Sequence, residues 1–410
     1  MPDMKLSRVE LVALLAMLVA TVAFSIDSML PAMPEIAQEL SPDNIANAQL
    51  ILSAFIIGMG AGTLFTGPIS DMFGRKPVIV GCTAIYIAGA FVAWQAPTLE
   101  MLILGRFLQG LGASGPRVVS LAVLRDLYSG RDMARLLSFV MMVFTVVPAL
   151  SPLVGSGIIA LTGWRGIFLA FVLFALVSSA WLMLRLPETL PEARRRRFSF
   201  TALKAAAVEM TGIPMVRLSV TAQVLTFAMM FSSISMIQPI FDQTFDRAES
   251  FPWFFFGIGI FCSTSSMVNA ALVMKLGMRK IISVTQYIAL TATTVMLAIE
   301  LAGGAGTAHF WFYLAWQTLI YFQMGLVFGN LNALAMEPLG HIAGLAASVM
   351  SAISTILGGI IATLVAQFYD GTPLALVAAC WVLCILAVLV MRKVRTLERV
   401  KDADAARAQR

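Results

Sequence analysis

Residues 9–31 read VELVALLAMLVATVAFSIDSMLP, and the sixteen residues between Glu10 and Asp27 carry no charge. A helix that crosses a bilayer needs ~20 predominantly apolar residues, which this stretch supplies. Its apolar core is too long for a cleaved signal peptide, and no small-x-small site closes it, so it is expected to remain as a membrane helix. Eleven further stretches of the same kind follow, at 47–69, 77–95, 98–121, 137–161, 165–186, 216–239, 251–273, 281–302, 309–332, 343–366 and 373–391. Helix is the natural state for all of them, because an open sheet leaves backbone groups unsatisfied in lipid. The expected fold is an all-α integral membrane protein of twelve spans.

Composition supports this. Of 410 residues, 59% are hydrophobic without counting 30 glycines, and only 12% are charged. Soluble domains carry ~25% charged residues, so a cytosolic enzyme, a nucleic-acid binder and a disordered chain are excluded. The four cysteines (Cys82, Cys262, Cys380, Cys384) all lie in apolar runs with no Cys-x-x-Cys pair. They are read as small buried hydrophobes rather than a disulfide or zinc framework. His309 and His341 sit far apart at helix ends, so no metal site and no cofactor is expected.

The net charge of +6 has a topological meaning. With the N-terminus inside, inner segments hold 24 of the 28 Lys and Arg residues: Lys5 and Arg8; Arg75 and Lys76; Arg125, Arg131 and Arg135; Arg185, Arg194 to Arg197, Lys204 and Arg217; Lys275, Arg279 and Lys280; and seven from Arg392 onward. Outer connections hold only Arg165 and Arg247 and are otherwise acidic, with Glu35, Glu39, Asp43, Glu100, Asp242, Asp246, Glu249 and Asp370. The positive-inside rule therefore predicts that both termini are cytoplasmic. The run Arg194 to Arg197 is read as a linker held near anionic headgroups.

That linker divides six spans from six. The predicted organisation is a bundle at 1–190, a cytoplasmic linker at 191–214, a second bundle at 215–394 and a cytoplasmic tail at 395–410. Weak echoes recur at offsets of roughly 203–208 residues. Phe24-Ser25-Ile26-Asp27-Ser28-Met29-Leu30-Pro31 faces Phe231-Ser232-Ser233-Ile234-Ser235-Met236-Ile237-Gln238-Pro239. Gly74-Arg75-Lys76 faces Gly277-Met278-Arg279-Lys280. Ser151-Pro152-Leu153-Val154-Gly155 faces Ser354-Thr355-Ile356-Leu357-Gly358. Parallel six-span repeats suit a transporter whose two bundles rock about a central site.

Several motifs then carry a family resemblance. Gly67-Pro68-Ile69-Ser70-Asp71-Met72-Phe73-Gly74-Arg75-Lys76-Pro77 resembles the loop 2–3 signature of the major facilitator superfamily. Leu104-Gly105-Arg106-Phe107-Leu108-Gln109-Gly110-Leu111-Gly112-Ala113 resembles the span-four motif of its drug:proton antiporter branch, and Pro148-Ala149-Leu150-Ser151-Pro152-Leu153-Val154-Gly155 resembles the span-five antiporter motif. Asp27-Ser28-Met29-Leu30-Pro31-Ala32-Met33-Pro34 and Gly163-Trp164-Arg165-Gly166-Ile167-Phe168 are similar to the bicyclomycin/chloramphenicol-resistance group. The span-five motif departs at Ser151 and Ser156, where glycine is usual. The resemblance implies two pseudo-symmetric six-helix bundles.

The residues themselves specify part of the chemistry. Asp71 and Arg75 are one helical turn apart, so they share a face. Gly67 and Gly74 permit close backbone approach. The family further implies that Arg75 pairs with Asp126, that Lys76 belongs to the same loop signature, and that Asp71 faces the start of span eleven near Ala343-Gly344, forming a latch. Met274 stands where the echo of Asp71 would be, so one latch is expected rather than two. Pro148, Pro152 and Gly155 weaken the helical ladder of span five and permit bending; the family role there is a seal.

A charge at mid-membrane costs at least ~2.5–3.5 kcal/mol on insertion scales and demands a partner or water. Asp27 and Arg106 are the clearest opposite charges within the spans, at similar expected depths of ~9 and ~12 Å from the outer end. They are expected to pair and to carry proton coupling, with a structural ion pair as the alternative. Arg117 is expected to snorkel to the inner surface. Phe24, Met141, Met142, Met230, Phe231, Tyr321 and Phe322 are candidates, with Asp27, Arg106 and Gln238, to line a permissive substrate pocket.

The leading expectation is a monomeric, proton-coupled exporter of small apolar or amphipathic drugs in a bacterial inner membrane. Its partners are then the solute, protons and the bilayer, with no nucleic acid. No Gly-Lys dipeptide occurs, so no P-loop exists to bind a nucleotide. The alternatives are an exporter or facilitator of a natural metabolite such as a sugar or amino acid, and, more remotely, a membrane-embedded enzyme. No clustered catalytic groups favour the latter, so no enzymatic activity is expected.

Overall fold

The computed structural model describes residues 6–42 and 45–408, without the side chains of 45, 46, 131, 134, 138, 143–145 and 398–408. Lys5, Asp43 and Arg410, and the side chains of Arg131, Arg399, Lys401 and Arg407, thus lie outside the described residues. Among the described residues there is no strand. The α-helices run α1 (Arg8–Asp27), α2 (Met33–Leu40), α3 (Leu50–Phe73), α4 (Arg75–Trp94), α5 (Leu99–Leu127), α6 (Gly130–Thr162) and α7 (Gly166–Arg185). They continue α8 (Phe200–Gly212), α9 (Pro214–Pro239), α10 (Phe251–Leu276), α11 (Met278–Leu301), α12 (His309–Met336), α13 (Ala343–Ala366) and α14 (Leu374–Ala408). All but α2 and α8 are long and apolar, one for each of the twelve predicted spans.

Three details differ from the sequence reading. The linker at 191–214 contains the helix α8, and α14 runs on as helix through the segment expected to be a tail. The first span, expected over 9–31, ends as α-helix at Asp27. Pro31 explains the stop: in a continuing helix its ring would strike the carbonyl of the residue four earlier, which is Asp27, and it has no N–H to donate. A short 3-10 turn over Leu30–Ala32 follows, still buried, and leads into α2.

The helices group into two compact units, Met1–Phe200 with Ile237–Ile260, and Thr201–Met236 with Phe261–Arg410. The first is held by seams of small residues. A Cβ on Gly58 or Gly110 would strike the backbone carbonyl of Phe107 or Phe55, so α3 and α5 meet backbone to backbone. Gly89, Gly105 and Gly112 do the same for α4 and α5. Gly155 of α6 rests on the carbonyl of Ser28, just past the end of α1. Lipid tails are as apolar as leucine, so such close van der Waals contact, rather than the hydrophobic effect, binds helices here. Hydroxyls join across the seams: Thr66 and Ser114 at 2.7 Å, Ser25 and Tyr86 at 2.5 Å.

The second unit relies more on side-chain amides. Ser354 donates to the Gln223 Oε1 at 3.0 Å, Asn330 to the Asn269 Oδ1 at 2.7 Å, and the Trp316 indole to Thr293 at 3.0 Å.

Glu188, on the chain leaving α7, fixes the α3–α4 turn. Its carboxylate accepts the backbone N–H of Arg75 at 2.9 Å, of Lys76 at 3.0 Å and of Leu190 at 2.9 Å. Two of these are opening amides of α4, which have no intrahelical acceptor, and a carboxylate is electrostatically favoured at that end.

Two stability predictions follow from this packing. Gly110→Val should overpack the α3–α5 seam, costing ~1–3 kcal/mol, and lower the melting temperature in detergent, whereas Gly157→Val, with open space at its Cα, should leave it unchanged. Glu188→Ala should leave three amides without their acceptor and cost on the order of 1–3 kcal/mol. An unaltered melting curve for that variant would contradict the capping role.

Candidate functional site

Two polar centres lie in the first unit. At the α3–α4 turn, Arg75 donates from Nη1 to the Asp71 Oδ1 at 2.6 Å and to the Ser70 hydroxyl at 2.7 Å, and from Nε to the Asp126 Oδ2 at 2.8 Å. Its side chain is 9% exposed and that of Asp126 18%, while Asp71 is 47% exposed. Gly74 makes the corner with φ +103°, a conformation that favours glycine. Lys76 donates to the carbonyls of Met183 at 2.7 Å and Leu186 at 2.9 Å, a cation at the C-terminal end of α7. The backbone of Arg196 donates to the Asp71 carbonyl at 2.9 Å, so the arginine run is anchored here as well. The loop signature residues and Asp126 thus form one connected network.

Glu188 is central to that network and escaped the sequence reading. The signal is Pro187-Glu188-Thr189-Leu190-Pro191, a carboxylate between two prolines where the chain leaves the sixth span.

The second centre surrounds Arg106. The guanidinium is fully buried; it donates to the Gln109 Oε1 at 2.7 Å and to the backbone carbonyl of Ser25 at 2.9 Å, and stacks 4.4 Å from the Phe55 ring centre. Its Nε–H has no hydrogen-bond partner among the described residues. The expected ion pair with Asp27 is therefore not formed: Arg106 meets the residue two positions earlier instead. The reason is local. Ser25 is among the last four residues of α1, whose carbonyls lack intrahelical donors, and the negative end of the helix dipole favours a cation. Asp27 itself, 5% exposed, closes α1, with no ion pair among the described residues. Gln109 and Tyr86, the latter hydrogen-bonded to Ser25, complete the centre and were not singled out in sequence.

Arg117 differs from expectation. It lies ten residues before the end of α5, half-buried, and its guanidinium contacts the Met59 sulfur at 3.6 Å rather than reaching the helix end.

Pro148 and Pro152 lie inside α6, which stays a single α-helix across both. Ala149 of the same motif packs on Gly259 of α10, within the first unit. On the outer side by the predicted orientation, the Trp164 indole and Arg165 each donate to Glu39 at 2.7 Å, and Arg165 also reaches the Ala96 carbonyl at 3.2 Å. The Trp164 hydrogen bond, then that of Arg165, holds the Glu39 carboxyl below its ordinary range.

The proposed pocket residues are distributed over both units. In the first, Phe24 packs edge-on against Phe171 at 5.4 Å, Met141 and Met142 are 40% and 57% exposed, and Gln238 is buried with its Oε1 unpartnered among the described residues. In the second, Met230 and Tyr321 are half-buried, Phe231 stacks on Phe227 at 5.3 Å, and Phe322 lies 5.4 Å from Phe261. Among the described residues no group of His, Cys, Asp and Glu is placed to hold a metal ion.

Comparison with known proteins accords with this architecture. The family model described as Major Facilitator Superfamily matches residues 13–363. An uncharacterized MFS-type transporter, YdgK, of Bacillus subtilis is 28% identical over 87% of this chain and 89% of its own. The bicyclomycin resistance protein homolog of Haemophilus influenzae is 27% identical over 89% and 91%, and the multidrug resistance protein MdtL of Klebsiella pneumoniae 26% over 92% and 94%. Among solved structures, the xylose transporter XylE from E. coli in a partially occluded inward-open conformation aligns with a TM-score of 0.73 at 12% identity, covering 94% of this chain and 97% of that one. A peptide transporter, POT, aligns at 0.74 and 13%, covering 95% and 94%. With twelve long apolar helices among the described residues, a network at the α3–α4 turn built on Asp71 and Arg75, and a family match over most of its length, this chain is a multi-pass membrane protein that belongs to the Major Facilitator Superfamily.

Proposed function

We propose that this transporter exports small apolar or amphipathic drugs in exchange for protons, acting as a monomer in a bacterial inner membrane with both termini cytoplasmic. The observation that carries the reading is Asp27: a buried carboxylate at a helix break, with no ion pair among the described residues, two residues past the Ser25 carbonyl that holds the buried Arg106. A buried charge without a partner is costly, and binding a proton relieves that cost. The names of the relatives from Haemophilus and Klebsiella support drugs as the solute class.

In this reading the proton and the drug compete at one place. With the site open to the outside, water reaches Asp27 and a proton binds. When drug enters from the other side, its contacts and the accompanying water favour the ionised carboxylate, which swings toward the nearby Arg106 guanidinium. Each ligand then weakens the other's binding, as linkage requires of an antiporter. Arg106 stays charged throughout, anchored on the Ser25 carbonyl, and orients the end of α1. The Arg75 network is the rigid part of a gate: it locks the α3–α4 turn to α5 and the linker, so the turn moves as a block.

Asp27→Asn imitates the protonated form and should fold normally. In an efflux-deficient host it should abolish the resistance conferred by the intact chain while leaving expression unchanged. Arg106→Ala should also lower the folded yield, because it strips the Ser25 and Gln109 oxygens of their donor. Resistance at the intact level in Asp27→Asn would remove the coupling role.

A further inference from the structure

Arg117 is a charge inside a span that the coupling scheme does not use. It stands ten residues, ~15 Å at 1.5 Å per residue, before the end of α5 and does not reach that end. Arg106 lies three turns earlier on the same helix, rotated by only about 20°, so the two arginines share nearly one side of α5. Arg106 is fully buried on that side, which therefore turns into the first unit rather than toward lipid. Arg117 is half-buried there, so a ligand can reach it.

The two guanidiniums are provided for differently. Arg106 has the Gln109 and Ser25 oxygens and the face of Phe55. Arg117 meets, among the described residues, only the Met59 sulfur at 3.6 Å, and a thioether is a weak acceptor for a fork of N–H donors. A charge inside a span demands a partner or water. One turn further on, the Ser120 hydroxyl is 1% exposed and has no hydrogen-bond partner among the described residues. Residues three apart on a helix are neighbours on its surface. The hydroxyl one turn earlier, that of Ser114, is by contrast engaged by the Leu111 carbonyl and by Thr66, each at 2.7 Å. Side by side, α5 thus carries a part-open guanidinium and a buried hydroxyl, neither with an oxygen partner among the described residues.

We propose that Arg117 and Ser120 bind the anionic group, a carboxylate or sulfonate, of an amphipathic aromatic solute. The guanidinium fork matches such a group with two parallel hydrogen bonds. The hydroxyl supplies a further donor, and the Met59 sulfur offers a polarisable contact to the ring. That this solute is an exported one rests on the transport reading above, and it adds organic acids to the class of drugs moved. The binding site itself does not depend on that reading.

The test compares two probes built on one ring system: anilinonaphthalene sulfonate, an anion, and phenylnaphthylamine, which lacks the sulfonate. Equilibrium dialysis measures each against the full chain in phosphatidylcholine nanodiscs, with binding to empty nanodiscs subtracted. The intact chain should bind the sulfonate at least roughly tenfold more tightly, the scale of a hydrogen bond to a charged group. Arg117→Gln should bring the two probes level, Arg117→Lys should keep part of the preference, and Ser120→Ala should reduce it. Arg8→Gln, which removes a surface cation paired with Asp132, should leave it unchanged. Melting curves verify that each variant is folded; should Arg117→Gln not fold, Arg117→Lys and Ser120→Ala decide. Equal binding of the two probes by the intact chain, or a preference that persists in full in the Arg117 and Ser120 variants, would overturn the site. Proton-driven movement of both probes is followed in proteoliposomes of the same protein. A chain that binds the sulfonate through Arg117 yet moves neither probe keeps this site and counts against the transport reading. A chain that moves the neutral probe but binds the two alike counts against this site alone.

Discussion

A guanidinium buried away from solvent meets, in this protein, the open end of a helix. Arg106 is wholly buried and its neighbouring oxygens are the Ser25 carbonyl and the Gln109 amide. The carbonyl is available because α1 stops at Asp27, and α1 stops there because Pro31 cannot follow it. One proline thus opens the acceptor for the arginine and leaves the aspartate at the break. Gly155 of α6 presses on the next residue, Ser28, so the broken end is also held sterically.

Elsewhere in the first unit polar groups are again paired across helices. Glycine seams let α5 approach α3 and α4 closely enough for its polar groups to find partners on them, as Ser114 finds Thr66. At the α3–α4 turn, where the chain must leave the helix, carboxylates and carbonyls meet the opening amides and the ammonium: Glu188 on Arg75 and Lys76, and the Met183 and Leu186 carbonyls on the Lys76 side chain.

Much of this was legible in the sequence. The spans were, because membrane helices announce themselves by length and hydropathy; the Asp71–Arg75 contact expected from helical spacing does form, but across the corner at Gly74, with Asp71 on α3 and Arg75 on α4. The relation between Asp27 and Arg106 was not. Depth along two helices places the charges at one level, but it says nothing of which oxygen the arginine meets. That depended on a helix end set by a proline four residues downstream of Asp27. Glu188 was missed for a related reason: nothing local marks a carboxylate just before the linker, and its role comes from folding back onto a helix more than a hundred residues earlier. Apolar composition does not encode which Met and Phe side chains meet, because that is decided by packing such as the stacking of Phe231 on Phe227.

The central claim is that Asp27 exchanges its proton for drug. It is tested most directly by adding a transported drug to the detergent-solubilised protein in weak buffer and following pH. The intact protein should release protons in proportion to the drug bound, and Asp27→Asn should bind drug and release none. Release of equal size from both proteins would contradict the assignment and leave Asp27 as a structural residue at the end of α1.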